Sequence, residues 1–139
     1  MNDRYLFRAK RIDNGEWIVG SLIQAPYLGS MRSWISSEQE DKARLRQISS
    51  NQAVWRAFEV RTDTICQCTG LKDKNGKLIW ENDILNSGNL VVTWREELAS
   101  YCLTKKGWMY QHFFGEAVDA CDCEVIGNIF DNPELMYER

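Results

Sequence analysis

The chain has 139 residues, of which 44% are hydrophobic and 27% are charged. This is the size and composition of one globular domain, and a wholly disordered chain is excluded. The formal net charge of −3 is the opposite of the strongly basic balance that attracts a protein to phosphates regardless of sequence.

The sequence carries no apparent membrane or export signal. No apolar run approaches the roughly 18–20 residues of a membrane-spanning helix, and the start MNDRYLFRAKR lacks the apolar stretch of a signal peptide. We therefore expect a soluble protein of the cytoplasm. Its five cysteines are expected to be reduced thiols, because an odd number cannot all pair within one chain.

The first part of the chain predicts one hairpin followed by a less regular stretch. Residues 4–23 contain two β-compatible runs around Asn14-Gly15, a pair that favours a tight turn. Residues 24–37 show no sustained period and predict a connection with one short strand. Residues 38–47 are rich in helix formers but almost without apolar contacts, which predicts an exposed helix or a mobile segment.

The second part predicts a series of short strands. The alternating run VWRAFEV, from Val54, is typical of a half-buried strand, and we place a boundary near residue 60. The run TGLKDKNGKLIWENDIL predicts a second hairpin that turns at residues 74–77. The runs LVVTW, ASYCL, WMYQHFF and CEVIGNIF favour further strands of a small barrel or sandwich. Pro133 predicts a final helical turn.

Three of these blocks resemble the YopX family: FRAKRIDNGEWIVGSLI, TGLKDKNGKLIWENDIL and CEVIGNIFDNPEL. The resemblance covers residues 4–23 and 60–135 and leaves 24–59 as a variable insertion. It implies a mostly β protein encoded by a phage or prophage. An N-terminal hairpin or open-barrel part (1–59) and a C-terminal SH3-like barrel part (60–139) would form one compact unit. The resemblance implies no particular activity.

Two positions depart from the family's pattern. Asn82 stands where the family usually has Gly, and because Asn tolerates the left-handed conformation we expect the turn to survive. Cys68 stands where an aromatic residue is common, so a metal site shared by the family is not expected.

The cysteines are weak candidates for a zinc site, since four thiolates from two strands would suit tetrahedral Zn²⁺. The candidate ligands are Cys66, Cys68, Cys121 and Cys123. A Cys-x-Cys spacing in a strand puts both side chains on one face without the usual knuckle. Small buried thiols are therefore the favoured interpretation, and no cofactor is expected.

No catalytic motif is visible. His112 is the only histidine, and nothing in the sequence brings it to a cysteine. Acid–base chemistry could be imagined for Asp73, Glu81 and Asp83, but Asp73 borders a turn and Asp83 is placed to cap one, so structural roles are favoured. We therefore do not expect an enzyme; that alternative would require a pocket with perturbed carboxylates or a thiolate beside His112.

The favoured hypothesis is a non-catalytic module that binds an unidentified macromolecule, protein or nucleic acid, and not a membrane. Small β-barrels present aromatic residues and loops to partners, although most of the six tryptophans are expected in the core. The alternatives are a nucleic-acid-binding small barrel and a homo-oligomer joined by strand edges. The candidate binding residues are Arg8, Lys10, Arg11, Lys105 and Lys106.

Overall fold

The computed structural model describes residues 3–37, 57–86, 89–105, 112–113 and 122–136. Within these ranges the chain consists of β-strands and short 3₁₀ turns, which confirms the mostly β fold class. The strands are β1 (Phe7–Lys10), β2 (Trp17–Tyr27), β3 (Ser30–Ser36), β4 (Ala57–Val60), β5 (Cys66–Lys72), β6 (Leu78–Trp80), β7 (Asp83–Leu85), β8 (Leu90–Arg95), β9 (Ser100–Thr104), β10 (His112–Phe113) and β11 (Val125–Asn128).

The chain divides into two compact units. The N-terminal unit is Tyr5–Ile65, and the C-terminal unit combines Met1–Arg4 with Cys66–Arg139. The division at residues 59 and 60, and the assembly of both parts into one compact unit, stay predictions. The segment 38–47 lies outside the described residues. Among the residues that are described, no helix combines the length and apolarity needed to cross a membrane.

The N-terminal unit contains an antiparallel sheet in the order β4-β3-β2-β1. The predicted hairpin over residues 4–23 is confirmed, because β1 and β2 pair from Phe7↔Gly20 to Lys10↔Trp17. Its turn is closed by the bond from the Gly15 nitrogen to the Arg11 carbonyl (3.0 Å), and Gly15 takes a φ of +71°.

The connection with one short strand predicted over residues 24–37 is right about a strand, β3, but wrong about the connection, because almost the whole stretch is paired in the sheet. Strand β2 continues to Tyr27 and pairs with all of β3, from Ser21↔Ser36 to Tyr27↔Ser30. Strand β3 has two adjacent polar residues, Arg32 and Ser33, followed by two adjacent apolar ones, Trp34 and Ile35, so its sequence lacks a sustained period of two. The strand is formed by cross-strand pairing that the local pattern does not reveal. Strand β4 then pairs with β3.

One face of this sheet forms the core of the N-terminal unit. The buried residues Ala9, Ile18, Ile35 and Val60 form one cluster, against which Phe7, Leu22, Phe58 and Ile65 pack. All of them except Ile65 come from the four strands, where they stand at alternate positions as the period of two requires. The burial of this face leaves the opposite face of the sheet for the polar and aromatic side chains.

The C-terminal unit contains the β5–β6 hairpin and an antiparallel sheet in the order β10-β9-β8-β7-β11. The predicted second hairpin is confirmed: it turns through Asp73–Lys77, closed by the bond from the Asp73 nitrogen to the Lys77 carbonyl (2.8 Å). The core consists of Ile79, Leu85, Val92, Leu103 and Cys123. In the described residues the five-stranded sheet is open, ending at β10 and β11. The predicted helical turn is a 3₁₀ turn, Pro133–Met136.

Candidate functional site

The sheet face opposite the N-terminal core combines aromatic rings with cations. Residues directly opposite one another in a ladder share a face, and so do alternate residues along a strand. The pairs Lys10↔Trp17 and Ile23↔Trp34 therefore mark one continuous face across β1, β2 and β3. We call it the aromatic–basic face and define it by Arg8, Lys10, Trp17, Tyr27, Arg32 and Trp34.

At one end of this face, Trp17 lies close to two cations. The Arg8 guanidinium carbon is 4.7 Å from the centroid of the Trp17 ring, and the Lys10 ammonium nitrogen is 5.4 Å from it. Both distances lie within the range of a cation–π attraction, which is strongest for tryptophan. The register places Lys10 directly opposite Trp17 and Arg8 opposite Val19, and both cations share the face of the ring because they are alternate residues of β1.

At the other end, Arg32 lies over two rings. Its guanidinium carbon is 4.8 Å from the Tyr27 centroid and 5.6 Å from the Trp34 centroid. Glu59 of β4 accepts two bonds from this guanidinium, each 2.5 Å long. These hydrogen bonds raise the pKa of Arg32 and lower the pKa of Glu59. The fork geometry fixes the plane of the guanidinium against the rings.

The aromatic–basic face is partly open to solvent. Tyr27 is 52% exposed and Ile23 is 46% exposed, while Trp17 and Trp34 are half-buried. Rings of this kind provide flat apolar surfaces, and the neighbouring cations provide positive charge. Bases of single-stranded nucleic acids stack on such rings, and their phosphates approach such cations.

Of the predicted binding residues, the structure places Arg8 and Lys10 together and separates Arg11 from them. The Arg11 side chain is on the core side of the sheet, where its guanidinium carbon is 4.2 Å from the Phe58 centroid. It also binds Asp13 through bonds of 2.8 and 2.5 Å, and these bonds lower the pKa of Asp13. Lys105 follows β9 in the C-terminal unit, and Lys106 lies outside the described residues.

Sequence reasoning missed Tyr27, Arg32 and Trp34. The spacing of Arg32 and Trp34 in SMRSWIS is the period of a strand. That spacing was the available signal, but it identifies a shared face only once β3 is known to be a strand.

Two side chains of the C-terminal unit have shifted pKa values. Burial raises the pKa of Glu81, whose Oε1 accepts a bond from the Gln67 nitrogen (3.2 Å). Burial, with the charges of Glu81, Cys68 and Cys66, raises the pKa of Tyr101 to about 12. At neutral pH Tyr101 is therefore a hydrogen-bond donor and not a base.

The candidate zinc ligands are buried where the structure describes them. Cys66, Cys68 and Cys123 are at most 1% exposed, and the Asn82 side-chain nitrogen lies 3.6 Å from the Cys66 sulfur. The predicted burial of Cys66 and Cys68 is confirmed. Cys121 lies outside the described residues. Across the described ranges, no group of three or more His, Cys, Asp or Glu side chains is placed to hold a metal ion.

The acidic residues at the second hairpin have structural roles. Asp73 accepts bonds from the backbone nitrogens of Asn75 (2.9 Å), Lys77 (2.9 Å) and Val125 (3.1 Å). Asp83 accepts one from the Trp80 nitrogen (2.8 Å) and is 1% exposed. These bonds stabilise turns, as predicted for both carboxylates.

Comparison with known protein families gives one match along nearly the whole chain. The family model described as YopX protein matches residues 6–137. The match includes the aromatic–basic face, the second hairpin and strand β11. No curated protein matches the chain.

Proposed function

Since the chain belongs to the YopX family, we propose that it is a non-catalytic phage or prophage accessory protein that binds a macromolecule in the bacterial cytoplasm. The ligand best supported by the geometry is single-stranded nucleic acid. The aromatic–basic face is the proposed binding surface.

The observation that carries this proposal is the alternation of cations and rings on one sheet face. Trp17 lies beside Arg8 and Lys10, and Arg32 lies over Tyr27 and Trp34. Single-strand binding surfaces combine these two elements, because every base has a flat face that stacks on an aromatic ring. Such binding tolerates many sequences.

The charge distribution supports a local site. The net charge of −3 does not attract phosphates over long distances, so the attraction arises from the cations of the face itself. Arg8 and Lys10 are the residues proposed to meet phosphates. Arg32 is held by Glu59, and its proposed role is to orient the Tyr27 and Trp34 rings for stacking.

The C-terminal unit is proposed to be an SH3-like barrel part. Its five antiparallel strands and the adjoining β5–β6 hairpin are in keeping with a small barrel. Many of its side chains form the core around Ile79 and Leu103. Its proposed role is to support the N-terminal unit or to bind a further partner.

The test is fluorescence anisotropy with labelled dT and rU oligonucleotides of fifteen nucleotides, at low and at moderate salt. Trp17→Ala and Trp34→Ala should each weaken binding by about 5- to 150-fold, the effect of losing one stacked base. The double variant R8A/K10A should reduce the dependence of affinity on salt. Arg11→Ala is the matched control, because its side chain is on the other side of the sheet, and it should bind as the unchanged protein does.

Two results would overturn the proposal. One is no binding of either oligonucleotide at low salt by a folded protein. The other is binding that the tryptophan variants leave unchanged. Light scattering on the same samples distinguishes the alternative of self-assembly, since a discrete multimer without oligonucleotide would favour a homo-oligomer.

A further inference from the structure

The β2–β3 hairpin ends in a two-residue turn with an unexpected residue. Leu28 and Gly29 are its central residues, with φ angles of +48° and +85°. Turns with two positive φ angles match the twist of a hairpin and strongly prefer Asn or Asp before Gly. Leucine is disfavoured at the first position because its Cβ crowds the following carbonyl oxygen.

Burial of the Leu28 side chain does not offset the strain of its backbone. It is 90% exposed, so its side chain contributes little to folding through burial. A residue that is both strained and exposed suggests a role in an intermolecular contact. An Asn at this position would form the same turn more readily.

The neighbouring residues extend this apolar tip. Tyr27 is 52% exposed and Met31 is 55% exposed, and Pro26 is opposite Met31 in the ladder. We call Pro26, Tyr27, Leu28 and Met31 the hairpin tip. Arg32 is the only charged residue between positions 17 and 37, and Glu59 of β4 pairs with it, so the tip itself presents mainly apolar surface.

The hairpin tip is continuous with the aromatic–basic face. Tyr27 belongs to both, and the Arg32 guanidinium lies over its ring. Strand β2 runs from Trp17 to Tyr27, a length of about 33 Å at the usual rise per residue. A strand of nucleic acid that follows the face toward Tyr27 therefore arrives at Leu28.

Resting on the proposed function, we propose that the hairpin tip recognises the junction between single-stranded and double-stranded nucleic acid. Leu28 stacks on the last base pair of the duplex, and the unpaired strand continues along the aromatic–basic face. Apolar side chains that wedge between paired bases must first separate two stacked steps. At a junction the end of the duplex is already unstacked, so Leu28 covers an apolar surface without that cost.

The experiment compares three labelled ligands: a forked duplex with a dT tail, a blunt duplex and free dT. We expect the unchanged protein to bind the fork roughly tenfold more tightly than free dT, the effect of burying most of one leucine side chain against the base pair. Leu28→Asn should abolish this preference and leave dT affinity unchanged, since Asn keeps the turn. Leu98→Asn is the matched control: Leu98 is also exposed, at 46%, and lies outside the hairpin.

A 2-aminopurine in the terminal base pair provides a second readout, because stacking of Leu28 should change its fluorescence only in the unchanged protein and in Leu98→Asn. If the protein bound the fork and dT equally, the inference would be overturned. A preference for the fork that survived Leu28→Asn would overturn it as well. Both results would leave the proposed function intact. Failure to bind dT at all would instead overturn the proposed function. Self-association that Leu28→Asn abolishes would assign the tip to a second copy of the chain and also overturn the inference.

Discussion

The Asp73 carboxylate accepts a hydrogen bond from the backbone nitrogen of Val125, 52 residues later, at 3.1 Å. This bond joins two of the three sequence blocks that resemble the YopX family, TGLKDKNGKLIWENDIL and CEVIGNIFDNPEL. The Lys74 nitrogen also donates to the Cys123 carbonyl at 2.8 Å, and the Ile129 nitrogen donates to the Asn82 carbonyl at 3.1 Å. The two blocks therefore form one hydrogen-bonded structure in the C-terminal unit.

Asp73→Asn should destabilise the protein by about 1–3 kcal/mol. Asp73 is 5% exposed, and an amide nitrogen in place of one carboxylate oxygen would leave a backbone N–H without an acceptor. Urea unfolding followed by tryptophan fluorescence measures the change. Asp63→Asn is the control, because Asp63 is exposed in a surface ion pair with Arg61, and it should be nearly neutral. Equal stability of both variants would contradict the structural role of Asp73.

The same carboxylate should make stability depend on acid pH. Burial raises the pKa of Asp73, but the bonds from the Val125, Lys77 and Asn75 nitrogens outweigh burial, so its pKa is below the ordinary value. A depressed folded pKa gives stability that is present above the unfolded pKa of roughly 3.9 and lost as pH falls through the folded pKa. Unfolding curves from pH 6 down to pH 2.5 should therefore show a smaller acid loss in Asp73→Asn than in the unchanged protein.

Asn82→Ala should cost about 1 kcal/mol relative to Asn82→Gly. Asn82 has a φ of +72°, a conformation that glycine adopts freely and alanine does not. The expectation that Asn supports this turn is confirmed by the left-handed angle. Asn75 provides the control, because it is exposed in the turn between β5 and β6 and its φ is not positive. At position 75 the Ala variant should be at least as stable as the Gly variant. If the Gly variant were the more stable one at both positions, the positive φ of Asn82 would not be the cause of the difference.

Tyr101→Phe should flatten the loss of stability at alkaline pH. The pKa of Tyr101 is raised to about 12 by burial and by the nearby Glu81, Cys68 and Cys66, while an unfolded tyrosine ionises near pH 10. The stability that comes from this raised pKa is present below about pH 10 and lost as pH rises toward about 12. Urea unfolding from pH 8 to pH 11 measures the slope. Tyr5→Phe, at a residue 70% exposed, should change it less.

Gly20→Ala should destabilise the N-terminal unit by about 1–3 kcal/mol, the range for overpacking. A Cβ at Gly20 would be 2.0 Å from the Ser36 carbonyl oxygen and 2.8 Å from its carbon. Both are backbone atoms, so β2 and β3 would have to separate. Ser21→Ala is the control at the next, exposed position and should stay within about 0.5 kcal/mol of the unchanged protein. An unaffected Gly20→Ala would show that the strands are farther apart than described.

Local sequence predicted the elements whose geometry depends on a few adjacent residues. Asn14-Gly15 and Asn75-Gly76 marked the turns of two hairpins, and Gly15 and Gly76 have the positive φ angles expected there. Asn82 was interpreted correctly for the same reason, since its side chain tolerates a left-handed backbone. The burial of Cys66 and Cys68 followed from the strand period.

Only the tertiary structure decided which of these elements meet. Strand β3 exists because it pairs with β2 and β4, and its own polar pattern did not require that pairing. Arg11 follows Lys10 directly, so the strand period alone puts the two side chains on opposite faces; what the tertiary structure adds is the Phe58 ring of β4, against which Arg11 packs.

The aromatic–basic face is also formed by tertiary structure and not by local sequence. Tyr27, Arg32 and Trp34 come together through the register of two strands, and Glu59 fixes the Arg32 guanidinium from a third. Turn preferences are determined by each residue's own φ and ψ, so they can be read from short stretches of sequence. Register and long-range bonds such as Asp73 to Val125 depend on the joint packing of distant segments, which local sequence does not specify.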